Sequence, residues 1–181
     1  MPQHVFLIGY RGSGKSSVGR MLADRLGRPF VDTDSMVETA AGRTIREIFS
    51  QDGETAFRDA ESAAIREVAE LGDPAIVALG GGAVLRDENR RLLKTGVAIW
   101  LTAAVETLGK RIARDSGTAA NRPSLSGVAS AVDEIREILQ RRVPLYEAAA
   151  DHCVDTEGLA PQEIAAKIVE YLAADGRAGR A

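Results

Sequence analysis

The stretch that decides the fold is Gly9-Tyr10-Arg11-Gly12-Ser13-Gly14-Lys15-Ser16, which fits the pattern G-x-x-x-x-G-K-[ST] in full. It follows an apolar run at residues 4–9, typical of a buried strand, and precedes residues 15–26, where apolar side chains recur at helical spacing. Glycines in such a strand–loop–helix unit let backbone N–H groups turn inward around a phosphate, and the helix N-terminus adds a positive field. A glycine-rich turn with a chance Lys-Ser pair is the alternative, but the flanking strand and helix favour phosphate binding. We therefore predict that the chain binds a nucleoside triphosphate, with Lys15 on the β- and γ-phosphates and Ser16 on Mg²⁺.

Outward from this loop, short apolar segments alternate with amphipathic ones along the chain. Strands are predicted at residues 4–9, 29–32, 75–79, 97–101 and 152–154. Helices are predicted at residues 15–26, 54–71, 87–95, 105–113, 131–142 and 161–172, with a short extra helix opened by the capping box Thr44-Ile-Arg-Glu47 and with Pro144 limiting the helix at 131–142. The alternation predicts an α/β domain whose parallel sheet carries helices on both faces. Ligands of such sheets bind beyond the carboxyl ends of the strands, and the motifs at residues 9–16, 32–34 and 80–82 all fall there.

Two carboxylates, Asp32 and Asp34, follow the second predicted strand. Alternation in an extended segment turns both to the same side, with Thr33 opposite. Near a phosphate loop, one carboxylate can hold Mg²⁺, directly or through water, and the other can orient or deprotonate an attacking hydroxyl. The alternative is purely local: an Asx turn that caps a helix starting at Ser35.

Three further features could belong to a site. Glu54, Arg58 and Glu61 share one face of a predicted helix, where surface ion pairs are the plain interpretation. The run Gly80-Gly81-Gly82 is either a turn or a place where backbone N–H groups approach a small ligand. Arg114 precedes, and Arg122 lies within, a stretch rich in Gly, Ser and Ala at residues 116–130, which is either an ordinary basic loop or a lid that covers phosphates and excludes water.

Composition narrows the classes of function. The chain has 181 residues, the usual size of one domain, and 23 basic against 26 acidic residues give a net charge of −3. This balance disfavours a nucleic-acid partner, and no apolar run approaches the ~18 residues of a membrane helix. Residues 1–10 lack the features of a secretory signal, and the single Cys153 cannot form an internal disulfide, so we expect a cytoplasmic protein. The basic residues comprise 19 Arg and 4 Lys, a bias that suits either a GC-rich genome or anion recognition.

Taken together, the motifs resemble shikimate kinase over nearly the whole chain. The matching elements, in order, are G-Y-R-G-S-G-K-S-S-V-G at 9–19, L-G-R-P-F-V-D-T-D at 26–34, F-R at 57–58, G-G-G at 80–82, N-R-P at 121–123 and R-V-P-L-Y at 142–146. The resemblance implies a three-layer α/β/α P-loop kinase fold, similar to that of nucleoside monophosphate kinases, with a five-stranded parallel sheet in the order 2-3-1-4-5. It also implies ATP-dependent phosphorylation of the 3-hydroxyl of shikimate, a step towards chorismate and the aromatic amino acids.

The resemblance also assigns roles to individual residues. It implies that Asp34 contacts the shikimate hydroxyls as the candidate base, and that Asp32 and Ser16 serve Mg²⁺. Phosphate binding falls to the loop, with Lys15 and the lid arginine Arg122 acting in catalysis. The implied ATP-binding residues are Gly12, Ser13, Gly14, Lys15, Ser16, Ser17, Arg114, Arg122, Asp155 and Thr156. The implied shikimate-binding residues are Asp34, Arg58, Gly80, Gly81, Gly82 and Arg142.

Residues 1–181 are accordingly expected to form one kinase domain. Within it, residues 33–61 would make a substrate-binding subdomain and residues 114–126 the lid. The expected partners are ATP and shikimate, with no nucleic acid and no membrane, and the chain is expected to be a monomer. Two alternatives stay open: another small-molecule kinase of this fold, such as a gluconate or nucleoside monophosphate kinase, and a nucleotide-binding switch without transfer activity.

Overall fold

A five-stranded parallel sheet organises the structure. The computed structural model describes residues 3–114 and 131–176. The sheet order is β2-β3-β1-β4-β5, and every neighbouring pair is parallel, which confirms the predicted sheet order. The strands are β1 (Val5–Ile8), β2 (Phe30–Asp32), β3 (Ile76–Ala78), β4 (Val97–Thr102) and β5 (His152–Asp155).

Helices connect these strands and cover both faces of the sheet. They are α1 (Lys15–Leu26), α2 (Thr33–Ala41), α3 (Ile45–Gln51), α4 (Gly53–Ala69), α5 (Asp87–Leu93), α6 (Val105–Arg114), α7 (Ala131–Ala149) and α8 (Pro161–Ala174), with a 3₁₀ turn at Ala83–Leu85. Most lie within a few residues of the predicted ranges, because their ends carry local signals. Helix α1 stops at Gly27, which adopts the left-handed conformation, and α3 opens with the predicted capping box of Thr44 and Glu47. In the described ranges, no helix combines the length and apolar character that crossing a membrane requires.

Two apolar cores lie on opposite faces of the sheet, and strand alternation divides the residues between them. In β1, Val5 and Leu7 join the core under α1 and α8, whereas Phe6 and Ile8 join the core that α4 and α7 cover. Because both faces of the inner strands β1, β3 and β4 are buried, these strands are nearly continuous apolar runs rather than alternating ones. The three-layer α/β/α arrangement is therefore confirmed.

A smaller core holds the segment after β2. Val37 of α2, Ile45 and Ile48 of α3, and Phe57 of α4 are buried together. This packing ties α2 and α3 to the long helix α4, whose first half completes the proposed substrate-binding subdomain at residues 33–61. The lid proposed at residues 114–126 lies, apart from Arg114, outside the described residues.

Two local predictions are wrong. Residues 32–34 are not one extended segment, because α2 begins at Thr33 directly after β2. The helix predicted to end before Pro144 continues through it to Ala149, although the missing N–H removes one bond of the helical ladder. Tyr146 and Ala149 beyond the proline are buried in the core, and this packing offsets the lost hydrogen bond.

The close approach of Gly96 to β1 offers a test of the fold. A Cβ at Gly96 would lie 2.7 Å from Cε2 of Phe6 and closer still to the carbonyl oxygen of His4, which accepts the hydrogen bond from Val97 N. We expect Gly96→Ala to lower the free energy of unfolding by about 1–3 kcal/mol, because overpacking shifts the two strands apart. Urea denaturation followed by circular dichroism measures the change.

Gly72→Ala is the matched control, since no atom lies near a Cβ at this exposed position. Its free energy of unfolding should be unchanged or raised by up to about 1 kcal/mol. Equal stability of the two variants would contradict the close packing of Gly96.

Candidate active site

The phosphate loop lies at the carboxyl end of β1, as its sequence predicts. The N–H of Ser13 donates to the carbonyl of Tyr10 at 3.2 Å, which closes a turn with Arg11 and Gly12 at its corner. Gly12 and Gly14 have φ of 78° and 93°, values that favour glycine, and α1 starts at the next residue. The loop borders a cavity of about 500 Å³ whose wall includes Gly12, Ser13, Gly14, Lys15, Ser16, Ser17, Asp32 and Asp34. We call it the phosphate cavity.

Protein oxygens hold two polar side chains of the loop, those of Lys15 and Ser16. Lys15 Nζ donates to the carbonyls of Gly9 at 2.8 Å and Tyr10 at 3.0 Å. The hydroxyl of Ser16 donates to Oδ2 of Asp32 at 2.8 Å. The loop therefore has an ordered conformation in which Lys15 folds back over it, with its ammonium beside the phosphate cavity.

Asp32 and Asp34 are positioned by the start of a helix and not by the extended segment that the sequence had predicted. Asp32 caps α2, because its Oδ1 accepts the N–H of Asp34 at 3.1 Å. The local alternative, an Asx-type cap, is thus the correct geometry, although the helix starts at Thr33 rather than Ser35. The cap does not exclude a functional role, because both aspartates also line the phosphate cavity.

The oxygen atoms beside the phosphate loop are suitable ligands for Mg²⁺. A hydroxyl from Ser16 and a carboxylate from Asp32 are oxygen ligands of the kind that this hard cation takes. In the described parts of the chain, no three His, Cys, Asp or Glu side chains are grouped so as to hold a metal ion by themselves. That suits a cation which takes its remaining ligands from phosphate and water.

Arg58 and Glu61 form a buried ion pair on α4. Their relative exposures are 8% and 0%, and Nη1 of Arg58 donates to Oε2 of Glu61 at 2.7 Å. Glu54, which is exposed, accepts from the same guanidinium at 3.3 Å. The surface interpretation of this triple is therefore wrong for Glu61, a residue the sequence did not assign to the site. Its spacing from Arg58 was the available signal, but spacing alone does not show which helix face is buried.

Two of the three glycines after β3, Gly80 and Gly82, lie directly against charged side chains of the site. A Cβ on Gly82 would lie 2.6 Å from Cζ of Arg58, in the middle of the guanidinium. A Cβ on Gly80 would lie 2.7 Å from Oδ1 of Asp34 and closer still to Oε1 of Glu61. A side chain at either position would therefore have to displace these charged groups.

A second cavity, which we call the acceptor cavity, adjoins the phosphate loop. Arg58, Arg142, Gly81 and Gly82 line it, together with the aromatic rings of Tyr10, Phe49 and Phe57. The carbonyl of Gly81 accepts from Nη1 of Arg142 at 3.1 Å and from the hydroxyl of Tyr146 at 2.5 Å. Burial raises the pKa of Tyr146 to about 12, so its hydroxyl stays a donor at neutral pH.

The residues proposed to lie beside adenine differ in burial and in their contacts. Thr156 is buried and donates to the carbonyl of Thr102 at 2.9 Å. It accepts in turn from Arg111, which the sequence did not single out and which also reaches the carbonyl of Gly12 at 3.5 Å. Arg111 thereby connects α6, the phosphate loop and the segment after β5. Arg114 is exposed at the end of α6, and neither it nor Asp155 lines the phosphate cavity. Arg122 lies outside the described residues.

Comparisons with known proteins agree with the resemblance drawn from the motifs. A family model described as shikimate kinase matches residues 11–173. A shikimate kinase from Symbiobacterium thermophilum is 46% identical over 97% of this chain and 99% of that protein. The solved structure of shikimate kinase from Acinetobacter baumannii in complex with shikimate aligns with a TM-score of 0.89 and 35% identity, covering 97% of this chain and 95% of that one.

The alternative of a gluconate kinase receives support at the level of the fold alone. A gluconokinase from Sinorhizobium meliloti aligns with a TM-score of 0.57 and 18% identity, covering 96% of this chain and 97% of that one. The family model and the identity of 46% over almost the whole length decide between the two groups. The chain belongs to the shikimate kinase family.

Proposed function

We propose that this chain transfers the γ-phosphoryl group of ATP to the 3-hydroxyl of shikimate, giving shikimate 3-phosphate and ADP. The observation that carries the proposal is the convergence of Arg58 and Arg142 on Gly81 and Gly82 in a cavity beside the phosphate loop. Family membership makes the chain a kinase. The two guanidinium groups in this cavity support an acceptor that carries a carboxylate.

The two arginines would bind the acceptor's carboxylate. Guanidinium groups match carboxylates in shape and charge, and their hydrogen bonds are stronger than those between neutral groups. Glu61 and the carbonyl of Gly81 hold these guanidinium groups in place. Part of the entropic cost of ordering them is therefore met before the acceptor binds.

Asp34 would orient the acceptor hydroxyl, accept its hydrogen bond and take its proton as the new bond to phosphorus forms. It stands in the first turn of α2, lines the phosphate cavity and lies against Gly80, beside the acceptor cavity. Phosphoryl transfer depends chiefly on positioning and charge stabilisation, so full deprotonation before attack is not required.

The remaining roles rest on the resemblance and on nearby geometry. Ser16 and Asp32 would hold Mg²⁺, which when bound neutralises charge on the phosphates. Lys15 would exchange its loop carbonyls for the β- and γ-phosphates. Arg122 as the lid arginine, and Arg114, Asp155 and Thr156 beside adenine, stay proposals, as do the monomeric state and the cytoplasmic location.

A coupled assay of ADP release tests the proposal. With Mg²⁺ and ATP, turnover should require shikimate, and gluconate or nucleoside monophosphates should not replace it. Turnover with gluconate alone would favour the other small-molecule kinase. ATP binding without any acceptor-dependent ADP would favour the non-catalytic switch.

Asp34→Asn tests the role of the Asp34 carboxylate in phosphoryl transfer. We expect kcat to fall by about 10²–10⁴-fold, because the amide cannot take the hydroxyl's proton. ATP binding, measured by calorimetry, should be retained. The exposed Asp24→Asn on α1 is the control and should keep full turnover. An unchanged kcat in Asp34→Asn would remove Asp34 from the mechanism.

Arg142→Ala tests the carboxylate site. We expect the KM for shikimate to rise by about 10- to 100-fold, as for the loss of a hydrogen bond to a charged group, with little change in the KM for ATP. Arg136→Ala is the control on the same helix, because this exposed residue pairs with Asp133 and Glu106 away from the site. A parallel rise in both KM values would contradict a specific role for Arg142.

Glu61→Gln tests the ion pair that positions Arg58. Removing the buried charge leaves Arg58 with only its longer contact to the exposed Glu54, so we expect a loss of about 3–5 kcal/mol in the free energy of unfolding. Glu54→Gln removes the exposed partner and should cost less than about 1 kcal/mol. Urea denaturation of both variants measures the difference, and equal losses would show that burial of Glu61 does not matter.

A further inference from the structure

Arg11 occupies a special place between the two cavities. It stands at the corner of the turn that the Ser13–Tyr10 hydrogen bond closes, directly before Gly12. Within residues 3–114 and 131–176, only Arg11 and Gly81 line both the acceptor cavity and the phosphate cavity. A group that passes from one cavity to the other therefore passes Arg11.

The guanidinium of Arg11 lacks a protein acceptor at its buried end. Its Nε is buried, and no hydrogen-bond partner for it exists among the described residues. Buried N–H groups are nearly always hydrogen-bonded, and one that is not calls for an explanation such as a missing ligand. An anion at the junction of the cavities would supply the acceptor.

The other arginines of the site differ in this respect. Arg58 is bonded to Glu61, Arg142 to the carbonyl of Gly81, and Arg111 to Thr156. Arg11 instead lies with its Cζ 5.8 Å from the centre of the Tyr10 ring, and Arg142 lies 5.9 Å from the same ring. Tyr10 thus adjoins both guanidinium groups, one next to the loop and one in the acceptor cavity.

We propose that Arg11 is a further catalytic residue, whose guanidinium contacts the phosphoryl group as it passes from ATP to the acceptor hydroxyl. This inference rests on the proposed function. During the step, the bond from the γ-phosphorus to the β,γ-bridging oxygen breaks and a bond to the acceptor oxygen forms. The bridging oxygen leaves with ADP, and the proton of the hydroxyl passes to Asp34. Arg11 balances charge on the moving group.

The proposal predicts that a substitution at Arg11 affects the affinities of two ligands differently, although the ligands differ by only one group. Shikimate has the carboxylate and the hydroxyls, whereas shikimate 3-phosphate also has the phosphate that Arg11 would hold. We expect Arg11→Met, which keeps the apolar stem, to weaken shikimate 3-phosphate by about 10- to 100-fold in calorimetric Kd. The Kd for shikimate should stay within about twofold, and kcat should fall by about 10²-fold or more.

Three further variants sharpen the test. Arg11→Lys keeps the charge and should recover part of the affinity for shikimate 3-phosphate. Arg58→Lys should weaken both ligands alike, because both contain the carboxylate. Arg20→Met removes an exposed arginine of α1 that lies over Phe30, and it should leave kcat and both Kd values within about twofold of the unmodified chain.

Each possible result of these measurements either supports or overturns the proposal. Equal weakening of the two ligands in Arg11→Met would place Arg11 in the carboxylate site and overturn the proposal. An unchanged kcat together with a lower melting temperature would make Arg11 a structural residue, which also overturns it. If the unmodified chain binds neither ligand and releases no ADP, the proposed function itself fails, and this result is distinct from a failure confined to Arg11→Met.

Discussion

The site depends on one steric constraint: residues 80–82, after β3, have no side chains. The α-carbon of Gly80 lies against the carboxylates of Asp34 and Glu61, and that of Gly82 lies against the guanidinium of Arg58. Between them, Gly81 packs on the backbone of Arg11, and a Cβ there would lie 3.4 Å from its N, at van der Waals distance. The end of β3 is therefore a thin wall of backbone between the acceptor and phosphate cavities. A side chain at Gly80 or Gly82 would displace the carboxylates of Asp34 and Glu61 or the guanidinium of Arg58.

Several cationic side chains lie around this wall, although the net charge of the chain is −3. Three of these cations are bonded to protein oxygens: Lys15 to loop carbonyls, Arg58 to Glu61 and Arg111 to Thr156. These bonds keep the cations ordered and reduce their mutual repulsion before any anion binds. They also set a condition on binding, because a phosphate at Lys15 must compete with two carbonyl oxygens. Binding at the loop is then an exchange of hydrogen bonds, which makes the net gain smaller than the gross interaction.

The predictable parts of the molecule are those whose cause is local. The phosphate loop, the cap at Thr44 and the end of α1 at Gly27 each follow from a few adjacent residues, and the buried strands follow from apolar runs. Glu61 and Arg111 were missed because their roles arise from packing between segments distant in sequence. The prediction that Asp32 and Asp34 share one extended segment was wrong for a related reason. The capping bond of Asp32 starts α2 one residue later, and strand alternation does not extend into a helix. The sequence alone suggested a choice between a cap and a metal ligand, whereas one side chain has two oxygens and can serve both.

Pro144 shows how a departure from a local rule can serve the site. Had α7 ended before the proline, Arg142 would stand at a frayed terminus and Tyr146 outside the helix. Because the helix continues, both side chains reach the carbonyl of Gly81 from the same face, four residues apart. Two donors on one oxygen fix the orientation of the peptide that joins Gly81 and Gly82. In a trans peptide the N–H points opposite to the C=O, so the N–H of Gly82 is oriented by the same two bonds. The packing of Tyr146 in the core, which offsets the proline's missing hydrogen bond, thus also fixes a backbone donor in the wall of the acceptor cavity.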